Sequence, residues 1–76
     1  MLRVTWDSEL DRLVKERWKI GQDFNLLEVY DFEPHFRRLY PKNAHPRDKL
    51  RQALQHLRDR GVLNFVNDFG TYKRIG

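Results

Sequence analysis

The stretch PKNAHPRDKLRQALQHLRDRG, residues 41–61, decides the fold of this chain. Four apolar residues recur in it at helical spacing, and eight other residues are Lys, Arg or His. The apolar positions are Leu50, Ala53, Leu54 and Leu57. Pro46 suits the first turn of a helix, and Gly61 suits the position after its end. The stretch therefore predicts a helix from Pro46 to Arg60 with one apolar side and one basic, polar side.

Two further helices are predicted upstream. Apolar spacing from Trp6 to Trp18 indicates a first helix, which Thr5 or Asp7 begins and Gly21 ends. The short run DFNL, residues 23–26, allows a strand stub.

A capping-box pattern starts the second helix, because Asn25 lies three residues before Glu28. Pro34 interrupts this helix and begins a short continuation, which we expect to carry Phe36, Leu39 and Tyr40 inward. Residues 41–44 are predicted to form a turn.

Downstream of residue 61, the runs VLNFV and TYKRI flank the turn NDFG and predict a β-hairpin. The fold class is therefore α+β, mainly α: a winged helix-turn-helix with a three-helix core, a short strand stub and a C-terminal hairpin wing. We expect one domain over residues 1–76. Phe69 at the hairpin tip is predicted either to reach a partner or to fold back. The other large aromatics are predicted to be core: Trp6, Trp18, Phe24, Tyr30, Phe32, Phe36, Tyr40 and Phe65.

Charge is distributed unevenly along the chain. Residues 1–33 carry five cations and eight anions, whereas residues 34–60 carry eight cations and two anions. A basic face of this kind is typical of a phosphate-binding surface, and a solvated charged face is the alternative.

Several classes of function are not expected. The chain has no cysteine, so disulfides and thiolate zinc sites are excluded. Its three histidines are too widely spaced to form a helical metal pair, and neither a glycine-rich phosphate loop nor a catalytic motif occurs. We therefore expect no enzyme, metal or cofactor. Apolar runs are too short to span a membrane, and a cytoplasmic location is expected.

The polar side of the predicted third helix carries residue types that recognise bases. Arginine pairs with guanine, glutamine with adenine, and a carboxylate accepts from cytosine. The candidates for base contacts are Arg47, Asp48, Arg51, Gln52 and Gln55. Asp48 has an alternative role, since an acidic residue in a first helical turn is stabilised by the helix dipole. The candidates for phosphate contacts are Arg38, Lys42, Asn43, His45 and Lys49, with Tyr72, Lys73 and Arg74 on the wing.

Three stretches carry a resemblance to a known family: DFNLLEVYDFE (residues 23–33), KNAHPRDKLRQALQHLRDR (residues 42–60) and, more loosely, GTYKRI (residues 70–75). Together they resemble the C-terminal winged-helix domain of methyl-directed restriction endonucleases of the DpnI type. The resemblance implies binding to duplex DNA with a preference for N6-methyladenine in a GATC-like site. It implies no cleavage, because the chain has no room for the nuclease domain of that family. The wing is one residue longer than the family pattern.

A methyladenine reader needs an acceptor near N6 and an apolar surface for the methyl group. Trp6, Ala44, Pro46 and the aliphatic stem of Arg47 are candidates for this pocket. We expect a monomer that binds adenine-methylated duplex DNA, either attached to a nuclease or other effector or free-standing. Two alternatives remain: a winged-helix transcription regulator indifferent to methylation, and a winged helix that binds another protein. Steep salt dependence and a methylated and unmethylated duplex pair would distinguish them.

Overall fold

The computed structural model describes residues 5–67 and 70–76, and the predicted hairpin-tip residue Phe69 lies outside these ranges. Over the described residues the chain forms four helical segments and three strands. In chain order these are α1 (Trp6–Arg17), β1 (Asp23–Asn25), α2 (Leu26–Tyr30), α3 (Glu33–Leu39), α4 (Pro46–Asp59), β2 (Leu63–Phe65) and β3 (Thr71–Arg74). Segments α2 and α3 together form the predicted second helix, and α4 is the predicted third helix. The winged helix-turn-helix architecture is confirmed.

Helix α1 begins at a complete capping box. The Thr5 hydroxyl accepts from the Ser8 backbone N–H at 3.1 Å, and the Ser8 hydroxyl accepts from the Thr5 N–H at 3.0 Å. Acidic residues lie in its first turn and basic residues in its last turn, which matches the helix dipole.

The end of α1 differs from the prediction. The helix ends at Arg17 and not near Gly21, because Trp18 adopts an extended conformation with φ −122° and ψ 144°. This conformation places the Trp18 ring in the core, stacked on Phe24 at 4.0 Å. Gly21, at φ +88°, instead forms the turn between α1 and β1.

The helix-turn-helix begins at Asn25, whose side chain accepts from the Glu28 N–H at 2.9 Å and caps α2. Pro34 lies in the first turn of α3 as predicted. Phe36 is fully buried and Tyr40 half-buried, but the prediction that Leu39 points inward is wrong, since Leu39 is 42% exposed. Phe36 and Tyr40 are four residues apart and lie about 40° apart around the helix axis, whereas Leu39 lies about 100° from Tyr40.

The apolar stripe of α4 forms the centre of the core, as predicted. Leu50, Leu54 and Leu57 are fully buried, and the stripe packs on Leu10 and Val14 of α1. Helix α4 is thereby fixed to the body of the domain by one side, and its opposite side remains exposed.

The strands form one antiparallel sheet in the order β1-β3-β2. Phe24, Tyr72 and Phe65 lie side by side across it. The prediction that Phe65 belongs to the core is wrong, because this residue of an edge strand is 38% exposed. Its ring packs on Tyr72, and the Arg58 guanidinium lies over it at 4.5 Å.

Candidate nucleic-acid interface

The outward side of α4 carries the predicted base-contacting residues. Their side chains are all exposed: Arg47, Asp48, Arg51, Gln52 and Gln55. Because the apolar stripe fixes the rotation of the helix, these residues face solvent along its length.

An open groove runs along this side of α4 and the turn before it. It is lined by Asn43, Ala44, His45, Asp48, Lys49, Arg51, Gln52 and Gln55. Four of the five predicted base-contacting residues therefore share one surface with three predicted phosphate-contacting residues. Such a surface combines donors, acceptors and positive charge, which a duplex groove requires.

Arg47, the fifth predicted base-contacting residue, lines a neighbouring depression together with Glu33 and Arg37 of α3. Its Nε donates to Glu33 Oε2 at 2.6 Å, and its guanidinium lies 4.7 Å from the centre of the Tyr30 ring. The Arg47 hydrogen bond, followed by that of Arg37, lowers the pKa of Glu33 below its usual value. Glu33 is therefore a carboxylate between two arginines.

A second ion pair lies within the groove. Arg51 Nη2 donates to Asp48 Oδ1 at 2.8 Å, and this contact raises the pKa of Arg51. Asp48 thus both occupies the first turn of α4 and holds an arginine of the exposed face. The alternative role predicted for Asp48 at the helix terminus is compatible with this geometry.

The N-terminus of α4 has no side-chain cap, although His45 occupies the N-cap position. Pro46 has no N–H, so the first unpaired donors of the helix belong to the residues that follow it. The His45 N–H itself donates to Asn43 Oδ1 at 2.8 Å, which shapes the turn. An uncapped helix terminus attracts phosphate through its N–H groups and dipole.

The remaining helical candidates for phosphate contacts, Arg38 and Lys42, are exposed beside this turn. Lys49 is exposed on the first turns of α4 and borders the groove. All three cations are therefore accessible to a phosphate.

The wing differs from the prediction at two residues. Tyr72, expected at the surface, is buried to 7% exposure between Phe24 and Phe65, and this burial raises its pKa. Arg74 is half-buried, and its guanidinium donates to the carbonyl oxygens of Lys15, Trp18 and Gly76 at 3.2, 2.8 and 2.9 Å. Both side chains therefore make contacts that stabilise the fold.

The Lys73 side chain points to the face of β3 opposite to that of Tyr72 and Arg74. It is exposed, and its Nζ lies 3.8 Å from Asp23 Oδ1. Strand alternation accounts for this difference, because adjacent residues of a strand point to opposite faces.

The predicted methyl pocket is only partly assembled. Trp6 is half-buried and stacks on Phe36 at 4.6 Å and on Tyr40 at 4.9 Å. Pro46 is buried beneath the start of α4, whereas Ala44 is exposed and lines the groove. Ala44 is therefore the predicted pocket residue that an incoming ligand reaches in the groove.

At its other end, α4 contacts α1 through two side chains that approach Asp7. His56 Nδ1 lies 2.9 Å from Asp7 Oδ2, and Arg60 Nη2 lies 3.7 Å from the same oxygen. The groove residues of α4, from Asp48 to Gln55, precede these contacts.

Sequence reasoning did not find Glu33, Arg37 or Tyr30 at this surface. These residues lie 10 to 17 positions before Arg47 in the chain, and no local spacing links them to it. Tyr30 and Glu33 contact Arg47, and Arg37 joins them through Glu33, because α2 and α3 pack against α4.

Residues 5–67 and 70–76 contain no group of three or more His, Asp or Glu side chains placed to hold a metal ion. Within the same residues, no helix is long and apolar enough to cross a membrane.

A short sheet, a helix-turn-helix and an exposed polar recognition helix define the class of winged helix-turn-helix DNA-binding domains. Comparison with protein families places the chain more narrowly. A family model described as DpnI_C, the Dam-replacing HTH domain, matches residues 9–74, and the chain belongs to this family. The match confirms the predicted resemblance and includes most of α1. Membership of a helix-turn-helix family indicates that the domain binds DNA.

Proposed function

We propose that the domain binds duplex DNA with α4 in the major groove and prefers N6-methyladenine in a GATC-like site. The groove along α4 carries this proposal, because it joins amide, carboxylate and guanidinium groups with the exposed methyl group of Ala44. The family membership supports the choice of DNA as the partner. The domain would act as a monomer in the cytoplasm, on the nucleoid, as a reader for an attached effector or by itself.

The recognition step follows from the chemistry of a paired methyladenine. Its remaining N6–H pairs with thymine, so the methyl group occupies the position from which adenine would donate into the major groove. The protein surface opposite must therefore be aliphatic, and the acceptor near N6 that the sequence led us to expect has no free N–H to accept from. This favours Ala44 and the stems of the groove side chains over a glutamine oxygen. A glutamine can still donate to adenine N7.

The expected preference is modest for one methyl group. Burying one methyl contributes about 0.8 kcal/mol, or roughly fourfold in affinity, and two methyls of a palindrome contribute roughly 15-fold. The remaining specificity would come from base contacts by the exposed side chains of α4, among them Arg47, Arg51 and Gln52.

Phosphate contacts supply most of the affinity. Four cationic contacts predict a log–log salt slope of about −3.6, which weakens binding roughly 150-fold between 50 and 200 mM salt. The exposed cations Arg38, Lys42 and Lys49, with Lys73 on the wing, are sufficient in number for such a slope.

Site-directed variants test the assignment of roles. On a panel of methylated duplexes that differ by one base pair, Gln52→Ala and Arg51→Ala should each relax the choice of base. Lys73→Ala, the matched control, should weaken binding to every duplex by the same factor. Uniform weakening by all three variants would contradict the assignment. A wild-type domain that binds none of the duplexes would instead favour a protein partner.

A further inference from the structure

We propose that Glu33 is a positioning residue: it orients the Arg47 guanidinium so that its two terminal nitrogens contact one guanine. This inference rests on the proposed function, since it assumes that α4 enters the major groove. It adds a residue outside the recognition helix to the determinants of specificity.

The geometry of the contact carries the argument. Arg47 donates to Glu33 through Nε at 2.6 Å, which leaves the Nη1 and Nη2 edge of the guanidinium unused. Within residues 5–67 and 70–76, neither of these terminal nitrogens has a hydrogen-bond partner. A bidentate contact to guanine O6 and N7 requires two parallel N–H donors of this kind.

Two other contacts restrict the guanidinium further. Its Cζ lies over the Tyr30 ring, 4.7 Å from the ring centre, so the guanidinium contacts both the ring and the Glu33 carboxylate. Arg47 is nevertheless 62% exposed, whereas the Glu33 side chain is 16% exposed. The Glu33 carboxylate is thus largely enclosed, and the Arg47 guanidinium that it holds is exposed.

Ordering a long side chain before it binds lowers the entropic cost of the contact. Arginine has substantial rotamer freedom when unsupported, and Glu33 removes part of it in the free protein. The support should therefore improve discrimination of guanine more than it changes the affinity for DNA in general.

The same carboxylate supplies an internal control. Arg37 Nε donates to Glu33 Oε1 at 3.1 Å, from within α3 and not from the recognition helix. Arg37→Ala therefore removes a partner of Glu33 and one positive charge without touching Arg47. An alternative in which Glu33 only repels phosphate predicts that loss of Glu33 strengthens binding to all sequences equally.

The test replaces each guanine of the methylated site in turn by 7-deazaguanine, which lacks the N7 acceptor but keeps its Watson–Crick pairing. A bidentate arginine contact is worth roughly 5- to 150-fold, so loss of one of its two bonds should weaken wild-type binding by roughly 2- to 12-fold at one position. In Glu33→Ala this penalty should disappear, and in Arg37→Ala it should persist in full.

Glu33→Asp keeps the charge in the first turn of α3 and shortens its reach by one methylene. It should also lose the 7-deazaguanine penalty, which separates positioning from charge even if the alanine variant folds poorly. A penalty that persists in both Glu33 variants would overturn the inference, as would its absence at every guanine in a wild-type protein that binds the methylated site. Failure of the wild type to bind that site at all would instead contradict the proposed function.

Discussion

Replacing Arg74 by alanine separates the role that the sequence suggests for this residue from the role that the structure shows. Sequence position on the wing predicts a phosphate contact, but the guanidinium donates to three carbonyl oxygens near the end of α1 and the C-terminus. Hydrogen bonds from a charged donor contribute about 1.5–3 kcal/mol. Because Arg74 is partly exposed, we expect the substitution to lower the free energy of unfolding by about 2 kcal/mol in total. For a domain of this size, that corresponds to a fall in Tm of about 8–16 °C.

Tryptophan fluorescence during urea unfolding measures this loss, because Trp18 is buried against Phe24 in the native state. Arg74→Lys keeps the charge but loses the fixed fork of donors, and it should be destabilised nearly as much. Lys73→Ala is the matched control on the same strand. It should leave the urea midpoint unchanged, weaken binding to all DNA sequences and reduce the salt slope by about 0.9.

The DNA affinity of folded Arg74→Ala, measured well below its unfolding temperature, should remain within about twofold of wild type. An unchanged urea midpoint together with much weaker DNA binding would refute this reasoning. Such a result would support the predicted contact of Arg74 with phosphate instead.

Three further predictions concern the body of the domain. Leu54→Ala removes a fully buried side chain from the α4 stripe and should lower the free energy of unfolding by about 2–5 kcal/mol in urea titrations. Thr5→Ala removes the capping box of α1 and should cost about 1 kcal/mol in the same assay, whereas Thr5→Ser should cost little. The contact with Arg12 holds the pKa of Glu9 below its ordinary value of 4.5. Its stabilising contribution is therefore present above pH 4.5 and lost as the pH falls through the lower folded-state pKa, so the stability difference between wild type and Glu9→Gln should shrink in acid. A difference that stays constant down to pH 2 would contradict the assignment.

Local chemistry made much of this fold predictable. The α4 stripe, Pro46 at its start and Gly61 after its end fix that helix within one residue of the prediction. Asn25 caps α2 because its side chain reaches the Glu28 N–H three residues on, a purely local contact. Periodicity, caps and glycine stops operate over a few residues, and a sequence displays them directly.

The predictions that were wrong concern residues whose position is set by contacts outside their own helix or strand. Trp18 leaves α1 early because its ring stacks on Phe24, and Arg74 turns toward α1, whose residue Lys15 is 59 positions away in the chain. Tyr72 and Lys73 are adjacent and chemically suited to the same role, but the pleat of β3 places one inside and one outside. A hairpin's register sets this alternation, and short strands carry too few residues to reveal it.

In the candidate site, too, some features follow from local sequence pattern and others from contacts between separate helices. Exposure of Gln52, Gln55 and Arg51 follows from the helical stripe alone and was predictable. Support of Arg47 by Glu33 depends on the packing of α3 against α4, and a separation of 14 residues gives no periodic signal.

One titration distinguishes a domain that prefers methylated adenine from one that does not. A short fluorescent GATC duplex, fully methylated or unmethylated at adenine N6, is titrated with the domain at one physiological salt concentration. We expect tighter binding to the methylated duplex, by roughly 15-fold for two methyl groups. Equal affinity for the two duplexes would contradict it, and would leave a winged-helix domain that binds DNA without regard to adenine methylation.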